Sequence, residues 1–156
     1  MALKLRSPMP SLSGATDWIR GGPVDPSQLA GHVTLVHFWA VSCGICKPHL
    51  PTINEWRKEY EAKGVRFVSV HMPRQEADTN VDDVRSTVQE YGVEQVTAVD
   101  NTHAITDAFE NEFVPAYYVF DQLGQLRLYM SGEKVLPTVQ QTIDRLLANP
   151  PSPAET

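Results

Sequence analysis

Thr34-Leu-Val-His-Phe-Trp-Ala-Val-Ser-Cys43-Gly-Ile-Cys46-Lys-Pro-His-Leu-Pro51 is the stretch from which the rest of the chain can be read. Residues 34–40 are apolar on both faces, as expected of a strand covered on each side. Beyond the cysteines, Leu50, Ile53, Trp56 and Tyr60 recur at helical spacing, and Gly64 closes the segment that runs through Lys63. The only two cysteines of the chain, Cys43 and Cys46, therefore fall three apart where a strand runs into a helix. A helix N-terminus presents unpaired N–H groups and a partial positive charge, both of which stabilise an anion. A thiolate so placed has its pKa drawn down from ~8.5 toward ~3.5–7.5. Cys43, at the mouth of the turn, reads as a nucleophile. Cys46, one turn deeper, reads as the thiol that resolves a mixed disulfide formed by Cys43. Gly44 leaves room for a second chain to approach.

Two other readings of the pair stay open, inert buried thiols or part of a metal site. Structural zinc takes four Cys or His ligands, and no second cysteine pair exists. His49 would extend the pair to three, giving a copper- or zinc-binding module if a distant group completed it. Haem attachment needs His directly after the second cysteine, where this chain has Lys47.

Working outward, strands and helices alternate. A second buried strand spans 65–72. Val81, Val84, Val88 and Tyr91 form a helical stripe closed by Gly92. A short strand at 96–99 precedes a helix marked by Ile105, Ala108 and Phe109. Strands 116–120 and 126–130 are joined by a hairpin-length turn at 121–124. Val139, Ile143, Leu146 and Leu147 give a last helix with Pro137 near its start. The order predicts an α/β domain: a mixed sheet of about five strands flanked by helices, with βαβ crossovers first and an antiparallel hairpin last. Residues 1–30 are rich in Gly and Pro and read as mostly irregular, except for a short turn through Leu29 capped by Asp25 ahead of Pro26. One domain is expected over 1–149, with a mobile proline-rich tail at 150–156.

The composition limits function. A length of 156 residues fits one domain, and 42% apolar with 21% charged residues is globular composition. A domain of that size does not need disulfide staples. The net charge of −6, without any basic run, argues against nucleic acid and anionic membrane as partners. The most apolar run, 33–41, is too short to cross a bilayer, and no apolar stretch of signal-peptide length follows the first basic residues. The expectation is a cytoplasmic monomer with no membrane partner, unless a leader has been trimmed. In a reducing compartment a lone cysteine pair is catalytic or metal-binding rather than structural.

The run from Thr34 to Pro51 resembles the thioredoxin superfamily: strand, Phe-Trp-Ala, Cys-x-x-Cys, then a proline five residues after the second cysteine. Pro51 matches the family's helix-kinking proline. Val114-Pro115-Ala116 matches the loop whose cis-proline faces the cysteines. More narrowly the chain resembles the TlpA/ResA-like thiol-disulfide oxidoreductases, which carry a helical insert after the second core strand, here about 73–92. Within them it is similar to the leaderless cytosolic YkuV type, through VHMPR (70–74) and TDAFENEFVPAYYVFD (106–121). The resemblance implies a thioredoxin-like fold and dithiol–disulfide exchange with protein substrates, with Cys43 attacking and Cys46 resolving, in the reducing direction. It implies a substrate-facing rim of Ser42, Gly44, Ile45, Val114 and Pro115. An electron-donating reductase or thioredoxin system would recharge the pair, and no tightly bound cofactor is implied.

Several positions depart from that pattern. His37 stands six before Cys43, where thioredoxins carry a buried carboxylate that helps deprotonate the second cysteine. It reads either as a proton acceptor for Cys46 or as a core histidine bonded to its surroundings. His49 stands where ResA-like members carry a glutamate. Protonated, it would favour a thiolate; equally, it reads as an exposed helix residue. Ile45 and Ser42 replace the proline within and the tryptophan before the thioredoxin motif, which bears on the reduction potential. Trp39 reads as a core aromatic that also shields the cysteines from below. Lys47 reads as a source of positive potential or as a solvated residue. Ala40 stands where peroxiredoxins have threonine, which argues against peroxide reduction.

Overall fold

The structure, a computed structural model, describes residues 3–152. It contains six strands, β1 (Asp17–Ile19), β2 (Thr34–Trp39), β3 (Arg66–His71), β4 (Val96–Val99), β5 (Ala116–Phe120) and β6 (Leu126–Ser131). Four α-helices accompany them: α1 (His49–Tyr60), α2 (Val81–Glu90), α3 (Ala104–Ala108) and α4 (Leu136–Ala148). The strands form one sheet in the order β1-β4-β3-β2-β5-β6. Strand β2 lies at its centre, parallel to β3 and antiparallel to β5. The β3–β4 pair is parallel, and β5–β6 is the expected hairpin.

All six residues of β2 are buried, because helices or loops cover both of its faces. On one face, Val36 and Phe38 join Val68, Val70, Ala98, Tyr118 and Phe120 beneath Ile105, Phe109, Leu12 and Leu29. On the other face, Leu35, Phe67 and Val119 meet Ile53, Trp56 and Tyr60 of α1 and Val139, Ile143 and Leu146 of α4. That second face continues to Trp39, where Leu50, Val84 and Val88 bring in α1 and α2. The fold is thioredoxin-like, with the anticipated helical insert supplied by a 3-10 turn at Glu76–Thr79 and by α2.

One strand more is present than the pattern predicts. Residues 17–19, read as irregular, form β1 and pair antiparallel with β4 through Asp17↔Val99 and Ile19↔Thr97. Three residues beside Gly21, Gly22 and Pro23 are too few for an alternating pattern. Docking creates this strand: Ile19 enters the helix-covered core while Trp18 packs on the opposite one. The short turn at Pro26–Leu29 is capped as expected, with Asp25 accepting from the Ser27 N–H and Gln28 returning a bond to the Asp25 N–H. Part of the tail expected to be mobile, residues 153–156, lies outside the described residues.

Candidate active site

Strand β2 ends at Trp39, and the next turn is closed by the Cys43 N–H on the Ala40 carbonyl at 3.0 Å. The α-helix begins only at His49. Two prolines explain the delay. Pro51 has no N–H to give the Lys47 carbonyl, and its ring crowds that oxygen. The upstream residues therefore close tighter turns, His49 N–H to Cys46 O at 3.0 Å and Leu50 N–H to Lys47 O at 3.1 Å. This corrects the expected placement: the cysteines occupy turns ahead of α1 rather than its first turn. One backbone donor is nevertheless aimed at sulfur, with the Cys46 N–H 3.2 Å from Cys43 Sγ.

Cys43 and Cys46 are joined by a disulfide, their Cα atoms 5.3 Å apart. In this oxidised form Cys43 is as covered as its partner, at 2% and 1% exposure, so the expected difference in access between the two is not present. The open surface belongs to their neighbours. Ser42 and Gly44 are exposed, Ile45 is 41% exposed, and a Cβ placed on Gly44 would meet nothing within 4 Å. Trp39 is buried in the same cluster as both cysteines, and its indole N–H donates to Ser69 Oγ at 2.6 Å.

The Val114–Pro115 bond is cis. Val114 packs against the cluster that holds both cysteines, Pro115 is buried, and Phe113 is 59% exposed. Among the described residues no hydrogen bond engages the backbone of Val114.

The two histidines singled out in the sequence lie below this surface. His49 is buried rather than exposed on its helix. Its Nε2 lies 2.9 Å from the Glu133 carbonyl and its Nδ1 2.6 Å from the Tyr117 hydroxyl. A carbonyl only accepts, so Nε2 carries the proton and Nδ1 accepts from tyrosine in the neutral ring. His37 is fully enclosed, takes a 3.0 Å bond from the Gln95 amide at Nε2, and stacks on Tyr117. Burial, aided by nearby His49, pushes its pKa down to about 3. No hydrogen bond joins it to Cys46. Burial raises the pKa of Tyr117 as well.

Sequence reading missed the segment after β3, which touches both loops of the site. His71 is buried and accepts the Val41 N–H at Nε2, 3.0 Å away. Met72 Sδ and the Phe113 carbonyl both receive the Asn111 amide, at 3.3 and 2.9 Å. The Arg74 guanidinium grips Ser42 through its carbonyl at 2.7 Å and its hydroxyl at 3.1 and 3.2 Å. Ser42 in turn donates to buried Asp78 at 2.7 Å. The VHMPR stretch was the one available signal, and nothing in its spacing says which loops it binds. A shallow cleft of about 370 Å³ runs from Ser42 between Lys47, Gln75 and Asp83.

The metal-module alternative finds no donor set. The sulfurs are bonded to each other, and both His49 nitrogens are engaged. Among the described residues, no three His, Cys, Asp or Glu side chains gather as a metal site.

A cysteine pair that closes as a disulfide at the end of the central strand can cycle between dithiol and disulfide, and known proteins agree with a redox reading. The model of the Redoxin family matches residues 5–143. The chain belongs to the Redoxin family. It is 45% identical to the thiol-disulfide oxidoreductase YkuV of Bacillus subtilis, over 94% of this chain and 98% of that one. Identity to the thiol-disulfide oxidoreductase ResA of Bacillus anthracis is 24%, over 74% of this chain and 64% of the other. A solved structure, the solution structure of a thioredoxin-like protein in the oxidised form, superposes with a TM-score of 0.85 at 45% identity. It is matched over 94% of this chain and 98% of its own. This Redoxin-family chain is a thiol-disulfide oxidoreductase.

Proposed function

We propose that the protein reduces disulfides in protein substrates, with Cys43 as the attacking thiolate and Cys46 as the resolving thiol. Starting from the dithiol, Cys43 sulfur attacks one substrate sulfur, and the substrate disulfide breaks as its other sulfur leaves and takes a proton. Cys46, deprotonated, then attacks Cys43 sulfur, releasing the second substrate thiol. Two electrons and two protons pass to the substrate, and the protein ends with the Cys43–Cys46 disulfide. The single observation that carries this reading is that disulfide, held in the cluster against which Val114 packs, with exposed Ser42, Gly44 and Ile45 as its chain neighbours.

An extended substrate segment would lie along residues 113–115, bonding to the unengaged backbone of Val114 as a strand would. Ile45 and Phe113 would supply apolar contact on either side of the sulfur. Pro115, which follows the cis bond, has no N–H to compete for the substrate. We place the reaction in the cytoplasm, with the protein acting as a monomer and recharged by a reductase or thioredoxin system, because a reducing compartment would hold the pair as dithiol.

Reduction of insulin disulfides by the wild type, Cys43→Ser and Cys46→Ser tests the assignment. Turnover should be lost in both variants, and Cys46→Ser should accumulate mixed disulfides through Cys43. Equal rates in all three proteins would refute the reading.

A further inference from the structure

We propose that Arg74 is a positioning residue for the nucleophile: its guanidinium, bonded to the Ser42 carbonyl, places a fixed positive charge beside Cys43 sulfur and favours the thiolate. The inference rests on Cys43 being the attacking thiol. It is motivated by an exposed arginine whose bonds are spent on one residue. Nη2 meets the Ser42 carbonyl at 2.7 Å and its hydroxyl at 3.1 Å, while Nε meets the same hydroxyl at 3.2 Å. The Ser42 carbonyl belongs to the peptide unit that ends at Cys43. Covalent dimensions then keep Nη2 within roughly 8 Å, and the guanidinium carbon within roughly 10 Å, of Cys43 sulfur.

The loop is pinned from both ends of this contact. The Arg74 backbone N–H donates to Asp78 at 3.0 Å, and the same carboxylate oxygen accepts from Ser42 Oγ at 2.7 Å. A side chain that swings freely would lose side-chain entropy on forming such bonds. Here the backbone of Arg74 is already anchored and the planar fork matches two oxygens of one residue, so less is lost. Geometry alone would be served by any donor; the placement of a charge is what a guanidinium adds.

The other titratable groups on elements packed around the cysteines are Lys47 on the loop, Asp78 and Asp83 on the insert, His71 on β3, His37 on β2, His49 on α1, Tyr117 on β5 and Glu112 beside Phe113. Asp78 opposes the effect, since its carboxylate acts on the same serine. Arg74 offsets that negative charge, so its removal would leave the thiolate facing an uncompensated carboxylate. A unit charge at roughly 8 Å, with an effective dielectric between ~20 and ~80, corresponds to a shift of about 0.4–1.5 pKa units.

The test is the pH profile of iodoacetamide alkylation of the reduced protein, with the labelled cysteine identified by peptide mapping. Arg74→Gln should raise the Cys43 pKa by about 0.4–1.5 units, making alkylation well below the pKa about 3- to 30-fold slower. Arg74→Lys, which keeps the charge and loses the fork, should recover more than half of the shift. An unshifted Arg74→Gln profile, or Lys behaving like Gln, overturns the proposal. Where Arg74→Gln does not fold, Arg74→Met takes its place, and an unshifted profile in that variant refutes the proposal. Labelling confined to Cys46 would overturn the nucleophile assignment as well, whereas labelling at Cys43 with no shift removes Arg74 alone.

Discussion

The two faces of the central sheet use burial differently. Beneath Ile105 and Phe109 the face is almost wholly apolar, and its aromatic rings meet edge to face. Phe109 lies 5.3 Å from Phe38, 5.2 Å from Tyr118 and 6.1 Å from Phe120 by ring centroids. Its buried polar groups are few: the Thr34 side chain, and the Tyr118 hydroxyl, which reaches Asn111 at 2.9 Å. The face beneath the cysteines instead carries a buried polar row across four strands: Tyr117, His37, Ser69 and Thr97 are register partners in sequence across β5, β2, β3 and β4. Buried polar groups cost free energy unless bonded, and an imidazole without solvent gives up its charge. One face is therefore a packing surface, and the other trades stability for a site held in place by hydrogen bonds.

Removing the packing should have the largest effect. Phe109→Ala should cost about 3–5 kcal/mol in urea unfolding, because a fully buried ring is lost from the aromatic group. Insulin reduction per folded molecule should stay within about twofold of wild type. A large loss of specific activity would show that the faces are coupled.

The polar face should reveal itself in acid. In the unfolded chain each imidazole binds a proton below pH 6.5, whereas burial delays this in the folded protein to about 4 for His71 and about 3 for His37. The unfolded state thus holds more protons in those windows, and stability must fall as pH decreases from 6.5. Each histidine contributes at most about 1.4 kcal/mol per pH unit, ending near pH 4 for His71 and near pH 3 for His37. Replacing His37 by Leu should flatten that slope between pH 6 and 4, as measured by denaturant midpoints. A parallel shift with an unchanged slope would mean that His37 does not titrate this way.

The smallest effect sharpens the contrast within the polar face. Trp39→Phe keeps an aromatic under the cysteines and removes the donor to Ser69, so about 1 kcal/mol should be lost. The pKa of Cys43 should move little. A large pKa change would show that the indole, beyond shielding the sulfurs, also tunes them.

Most of the architecture was legible because burial leaves a period in the chain. The helical stripes at Leu50–Tyr60 and Val139–Leu146, the two-sided apolar run of β2 and the turn before β6 all appear where their spacing puts them. Strand β1 was not legible, since three residues carry no period and depend on β4 for their hydrogen bonds. Helix α1 starts beyond the cysteines for a local reason: Pro48 and Pro51 forbid the bonds that would carry it back to Cys46.

The cysteine pair, its proline signposts and the alternation of strands and helices are properties of neighbours along the chain, so reading in order was enough to find them. His49 bonded to Tyr117, His37 to Gln95 and Arg74 to Ser42 join residues separated by 68, 58 and 32 positions. Such contacts leave no trace in spacing, because a side chain's partner across the sheet is set by strand order and register. Those are decided only when the whole chain closes on its core.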